Sequence, residues 1–344
     1  MHRRSREAIV LFIFFALAGC GSKEADVAVI TDHRVMMDTV VSISVYADKD
    51  DSSSAVRGGI AKAFEAMRRV DSLMSSYSDK SEVADLNRRA ASEPVAISAA
   101  TDSVLQAALW ASEISRGVFD VTIAPVLQLW GFGTDHLGVP KEQDIKDRLP
   151  LVNYRNLKNE SGAIRFLRPG MAIDLGGVAK GYAVDAAVEV LRSAGYADVM
   201  VKAGGDLRTL SSPLTSGHRY IWIQHPRASD KFFAKFKFDE GAVSTSGDYE
   251  RFFEAGGVRY HHVIDPATGY PARRAVSATV LANDSRTADA LSTALFVLGP
   301  EAGIALADSL GIDTVILSIE GDKILRRTTR GFEEKLEVLN DSVE

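Results

Sequence analysis

Three stretches of this chain carry residue types suited to charged, oxygen-rich ligands. The first holds Asp289 and Thr293. They lie on a segment that reads as a helix from the capping run Asn283-Asp284-Ser285-Arg286-Thr287 to about Leu298, closed by Gly299-Pro300. At i and i+4 the two side chains stack on one helix face, and Leu291, Leu295 and Leu298 form the core face. A carboxylate and a hydroxyl so placed offer two hard oxygens to Mg2+, with carbonyls, waters and phosphates completing an octahedron. The bland alternative is a carboxylate that favours the helix dipole and a threonine without a role.

The second stretch is Met171 to Leu175, a short predicted strand, broken by Gly176-Gly177 and followed by a helix from Val178 to about Ser193. Free N–H groups and the dipole at such a helix start point at an anion, and Lys180 in the first turn adds charge. Neither G-x-G-x-x-G nor G-x-x-x-x-G-K-[ST] occurs, so neither a Rossmann site nor a P-loop is indicated. The third stretch is Tyr260 to Pro271, a short strand running into a stiff turn opened by Asp265-Pro266, with Gly269 free to take a positive φ. Alternation puts Tyr260, His262 and Ile264 on one face, and His261, Val263 and Asp265 on the other. His262 is the candidate general base, because an imidazole titrates near neutral pH. Two surface histidines beside a β-turn are the alternative.

The intervening elements must position these groups. Val35 to Tyr46 alternates and is β-branched, which predicts one strand. Ser54 to about Ser75 is helical, with Ile60, Ala63, Phe64, Met67, Val70 and Met74 as its apolar stripe. Thr101 suits the N-cap of a helix to about Ser115. Phe119 and Asp120 fall at a strand start or turn, where Asp120 can accept hydrogen bonds from a heterocycle edge. Trp130 and Phe132 alternate with glycine, and Trp130 reads as part of a buried aromatic cluster. Asp198 to Ala203 is a returning strand before Gly204-Gly205-Asp206, and Asp185 and Asp206 read as caps or surface carboxylates. A strand near Asp313–Ser318 follows, and Phe332 to Glu344 reads as a frayed tail.

Several of these runs resemble one family. His262-Val263-Ile264-Asp265-Pro266-Ala267-Thr268-Gly269 is similar to the H-I-I-D-P-x-T-G signature of ApbE-type FAD:protein FMN transferases. Asp174 to Asp185, Ala203 to Asp206, the Thr-Ser-Gly-Asp-Tyr run at 245–249, Gly117 to Thr122, Leu129 to Gly133 and Ala288 to Ala294 resemble its other blocks, in order, between about Val35 and Gly321. The resemblance implies an α+β fold of mixed or antiparallel sheets flanked by helices, in two interleaved lobes with the active site in the cleft between them. It implies that FAD contacts Met37, Tyr77, Phe119, Asp120, Asp174, Lys180, Gly205, His262, Ile264 and Asp265. It also implies that Gly177, through its carbonyl, joins Asp289 and Thr293 as the ligands of Mg2+. Asp38 stands where the family usually has glycine. The expected reaction moves FMN from FAD to a Thr or Ser hydroxyl of an acceptor, a membrane redox subunit, and releases AMP. A Mg2+-dependent FAD pyrophosphatase and a non-catalytic flavin-binding lipoprotein are the alternatives.

Composition narrows the partners. The 344 residues are 46% hydrophobic and 25% charged, with a net charge of −6 and no Lys/Arg block, which argues against nucleic acid. His2 to Arg6 is basic, Ala8 to Ala18 is apolar, and Leu17-Ala18-Gly19-Cys20 matches the bacterial lipobox. The expected organisation is a signal peptide over 1–19, a lipidated tether over 20–30, a transferase domain over 31–335 and a tail over 336–344. Cys20, the sole cysteine, would be the lipidation site, anchoring the protein on the periplasmic side of a bacterial membrane, the inner one favoured.

Overall fold

The computed structural model describes residues 27–48, 51–134, 136–160, 162–212, 215, 217 and 219–343. The expected signal peptide, Cys20 and the first part of the tether lie outside the described residues. Eight strands form one antiparallel sheet, and their spatial order is their chain order. They are β1 (Val27–Met36), β2 (Thr39–Asp48), β3 (Val199–Ala203), β4 (Asp206–Leu210), β5 (Gly241–Gly247), β6 (Ser277–Ala282), β7 (Thr314–Glu320) and β8 (Lys323–Thr328). The helices that cover it and build the cleft are α1 (Ser53–Met74), α2 (Glu82–Arg89), α3 (Ala99–Ile114), α4 (Ala124–Trp130), α5 (Glu142–Arg148), α6 (Ala179–Ser193), α7 (Ser285–Leu298) and α8 (Pro300–Leu310).

Burial follows the sequence periodicity. Val41, Ile43 and Val45 of β2 are fully buried, and they share one core with the apolar stripe of α1, with α3, α6 and β3. A second core joins α7 and α8 to β6 and β7. The two lobes interlock where α7 packs on α6. The expected α+β architecture with its cleft is therefore observed, and every pairing in it is antiparallel.

Five expectations need correction. Val35 to Tyr46 is not one strand. Val35 pairs with Val40 across a loop of Met37 and Asp38, whose φ values are +52° and +58°. Positive φ at both loop positions is type I′ geometry, which matches the strand twist. Met-Asp carries no turn signal, so β-branched alternation runs through the turn unbroken. Residues 27–30, expected in the tether, belong to the sheet, because β1 already begins at Val27. The N-cap of α3 is Ser98, whose Oγ accepts from the Thr101 amide at 3.3 Å; Thr101 itself is buried within the helix.

Met171 to Leu175 forms no strand. Asn87 donates to the Ile173 carbonyl at 2.9 Å and accepts from its amide at 2.8 Å, while the Asp174 amide donates to Val121 O at 2.9 Å. A side chain satisfies the groups that a ladder would have used. Finally, the C-terminus is not frayed. Phe332 is fully buried, Glu337–Val338 pairs with the strand Phe232–Lys237, and the Leu339 amide donates to Phe233 O at 2.8 Å. Two paired residues are too few for a periodic signal.

Candidate functional site

A cleft of about 640 Å3 opens where the β1–β2 and β3–β4 turns, the end of β5 and the start of α6 converge. Its floor is an ionic cluster. Lys180 Nζ lies 3.1 Å from Asp206 Oδ2 and 3.4 Å from Asp289 Oδ1. Both carboxylates are buried, 1% and 3% exposed, so they feel each other with little screening by water. Burial works against the Lys180 ammonium, but Asp206 and Asp289 outweigh it and hold its pKa above the ordinary lysine value. Asp289 is pushed up to about 7, first by burial, then by the Asp206 charge.

The approach of α7 to α6 makes this cluster possible. A Cβ on Gly181 would sit 2.2 Å from Ser285 O, so only glycine allows the two helices to cross this closely. The same approach lets the Gly181 amide donate to Asp289 Oδ2 at 3.0 Å. Asp185 caps this crossing, accepting from the Ser285 and Arg286 amides at 2.9 Å each, as its expected capping role required.

One turn beyond Asp289, Thr293 Oγ1 is 3.3 Å from Ser246 Oγ. A hydroxyl chain runs back from Ser246 through Ser292 at 2.8 Å and Ser244 at 3.1 Å to Asp206 Oδ1 at 2.6 Å. A Cβ on Gly177 would meet Phe119 Cε2 at 3.0 Å and Thr293 Oγ1 at 3.4 Å. The residues expected to hold Mg2+ are thus brought together: Asp289 and Thr293 from α7, and the Gly177 backbone beside them. Among the described residues no cluster of three or more His, Cys, Asp or Glu is built for a metal. The donor set here is instead a buried carboxylate, a hydroxyl and close backbone. Two carboxylates sharing one ammonium leave a negative charge that a hard divalent cation would offset, so the residues fit Mg2+.

His262 stands on the wall formed by the turn after the ribbon Phe252–Ala255/Val258–His261. Its Nδ1 is 3.3 Å from Arg251 O. A carbonyl only accepts, so Nδ1 carries the hydrogen and Nε2 keeps a free lone pair. Burial, then the Arg251 guanidinium, lowers the His262 pKa well below the usual imidazole value. His261 faces the other way, as alternation required. Its Nε2 donates to Ala272 O at 2.7 Å, and its ring packs edge-on against Phe296.

The turn that carries His262 is held rigidly. Asp265 Oδ1 accepts from the Ala267 amide at 2.8 Å, Gly269 has φ +76°, and buried Trp130 donates Nε1–H to Gly269 O at 2.9 Å. Trp130 sits among Phe253, Tyr260 and Tyr270, so it is a structural aromatic as read from the sequence. Asp265 spends its carboxylate on this turn and does not line the cleft, whereas Ile264 does.

Met37, Tyr77, Phe119, Asp120, Asp174 and Gly205 all line the cleft. The Tyr77 ring lies over the Gly133 backbone. Asp120 is buried and already accepts from the Thr122 amide and hydroxyl at 2.9 and 2.6 Å and from the Tyr154 amide at 3.0 Å. Asp174 Oδ1 accepts from the Gly176 amide at 2.8 Å, shaping the glycine turn.

Sequence reasoning missed three charged residues. Asp206, read as a cap or surface group, is neither; it is an inward carboxylate of the floor. Its signal was available: it opens a strand directly after a glycine pair. Glu250 and Arg251 also line the cleft, and burial raises the Glu250 pKa. They follow the Thr-Ser-Gly-Asp-Tyr run at 245–249, whose signal in the sequence is its resemblance to a family block.

A buried acid–ammonium cluster at a helix start, metal-suited oxygens and an imidazole in the same cleft suit an anionic, phosphate-bearing ligand. The chain belongs to the ApbE family, whose model matches residues 37–316. It is 34% identical over 272 residues to the FAD:protein FMN transferase of Vibrio cholerae, covering 78% of this chain and 79% of that one. It is 31% identical over 353 residues to the FAD:protein FMN transferase of Treponema pallidum, covering 97% and 96%. Among solved structures, the ApbE protein of Thermotoga maritima superposes with a TM-score of 0.81 at 32% identity, covering 90% of this chain and 99% of that one.

Proposed function

We infer that this chain is an FAD:protein FMN transferase, and we propose that it acts with Mg2+ on a Thr or Ser hydroxyl of its acceptor. The observation that carries the reading is one cleft lined both by Lys180, Asp206, Asp289 and Thr293 and by a neutral His262 with Nε2 free. The names of the similar proteins, one of which matches this chain nearly end to end, support the same reaction. The acceptor oxygen attacks the FMN phosphorus and its proton passes to His262 Nε2. The P–O bond to the AMP half breaks, and AMP leaves with the bridging oxygen. Lys180 and the N–H groups at the start of α6 attract the pyrophosphate, so positioning and charge complementarity supply most of the acceleration. Mg2+, held by Asp289, Thr293 and the Gly177 carbonyl, would neutralise pyrophosphate charge. Met37, Tyr77 and Phe119 supply flat apolar contact for the isoalloxazine.

The Leu17-Ala18-Gly19-Cys20 motif supports a lipid anchor at Cys20 on the periplasmic side, which suits a membrane redox subunit as acceptor. The test mixes purified full-length chain, FAD, Mg2+ and an acceptor domain with a threonine in a Gly/Ala-rich segment. Acceptor mass and AMP are both read. An acceptor heavier by one FMN, with matching AMP and loss of both on chelation, is the expected result. AMP and free FMN beside an unmodified acceptor would replace the reading by a pyrophosphatase. Bound FAD without AMP would replace it by a binding protein.

A further inference from the structure

A second cavity, about 340 Å3, lies behind the cleft: His261 lines it while the adjacent His262 lines the cleft. Its charged lining is Arg227, Arg259, Arg273 and Asp248, three cations against one anion. Arg227 is committed, its fork gripping both Asp248 oxygens at 2.7 and 2.8 Å. Arg259 is held by its face, 4.1 Å over the Phe252 ring, while its N–H groups reach Asp248 only at 3.8 Å and Glu254 at 3.7 Å. Arg273 makes no ion pair among the described residues, and its guanidinium contacts Arg259 O at a long 3.5 Å. His261 adds no charge. Its Nε2 donates to Ala272 O, its Nδ1 accepts from the Val263 amide at 3.3 Å, and burial lowers its pKa.

The arginines come from three separate segments. Arg227 and its partner Asp248 belong to the body of the molecule, Arg259 to the Phe252–Ala255/Val258–His261 ribbon, and Arg273 to the chain just past the Asp265 turn. Guanidinium forks match the oxygen spacing of phosphate and carboxylate groups. We propose that this cavity binds a small oxyanion, phosphate or carboxylate, and that the bound anion clamps the ribbon and turn that carry His262 against the sheet.

The inference does not depend on the reaction proposed above. Its test is calorimetric titration of inorganic phosphate, and separately of succinate, into the FAD-saturated full chain at fixed ionic strength, so that FAD already occupies the cleft around Lys180. Saturable one-to-one binding of at least one anion is expected, and which one binds separates tetrahedral from planar ligands. The Arg259→Gln/Arg273→Gln chain should bind at least about tenfold more weakly while keeping its FAD affinity. Should that pair disturb FAD binding, Arg273→Gln alone, at the exposed rim, makes the same comparison. Hydrogen exchange of residues 252–263 should slow with anion in the natural chain only. Absence of saturable binding of either anion, or equal binding by the variants, overturns the proposal.

Discussion

Replacing Asp289 by Asn removes one of two carboxylates that share a single ammonium. In the folded chain the Asp289 carboxyl is held near pH 7 against an ordinary 3.8. The fold therefore binds this proton more tightly than the unfolded chain does. Its contribution to stability is complete below about pH 3.8 and is lost progressively as pH rises towards about 7. At about 1.4 kcal/mol for each tenfold change in proton affinity, the whole cost above pH 7 is roughly 4 kcal/mol. Asn does not titrate, and its Oδ1 can keep the Gly181 amide bond. Its amide N–H groups would then face Lys180, so roughly 4 kcal/mol is a ceiling and about 2 kcal/mol the expected gain. The assay is urea unfolding of metal-free, FAD-free chain at pH 5 and pH 8. Asp289→Asn should be the more stable chain at pH 8, and its advantage should shrink by more than half at pH 5. Its Mg2+-dependent transfer should be lost. A variant less stable than the natural chain at pH 8, or a difference that ignores pH, would refute the electrostatic account of the floor.

The two histidines should separate cleanly. His262→Ala should abolish transfer with little change in the unfolding midpoint. His261→Ala should keep transfer but lose about 1–3 kcal/mol, because it strands the buried Ala272 carbonyl. Since burial and Arg251 keep His262 neutral until well below pH 6.5, its ring resonances in the FAD-free chain should titrate well below that value; titration near or above 6.5 would refute the neutral, buried imidazole. Asp38→Gly should stabilise the chain by about 0.5–1 kcal/mol in denaturant titration, because Asp38 holds a positive φ of +58° that glycine adopts freely. Trp130→Phe, which deletes the Nε1–H donor to Gly269 O, should cost about 1–2 kcal/mol and lower kcat, read by thermal unfolding and steady-state transfer.

Much of the site was legible because its parts are local. Asp289 and Thr293 declare a shared helix face by spacing alone, and His262 and His261 declare opposite faces by strand alternation. The Gly176-Gly177 turn and Lys180 announced a helix start, and every residue read into the apolar stripe of α1 is buried, joined by Val56 and Gly59 from the preceding turn. What failed was chemistry without local periodicity. The Met37-Asp38 turn interrupts a pattern that continues across it, and the short Glu337–Val338 strand has no pattern.

The sequence by itself determined which helix faces and strand faces exist, where the stiff turns fall, and which side chains could act as acid, base or ligand, since these follow from residues a few positions apart. Only the tertiary structure decided which of them meet. Lys180 reaches Asp206 and Asp289, 26 and 109 positions onward, because Gly181 admits α7 against α6, and the β3–β4 turn turns Asp206 inward. Once these charges are buried together, low dielectric and mutual repulsion set their proton affinities, and neither quantity is written in any stretch of chain taken alone.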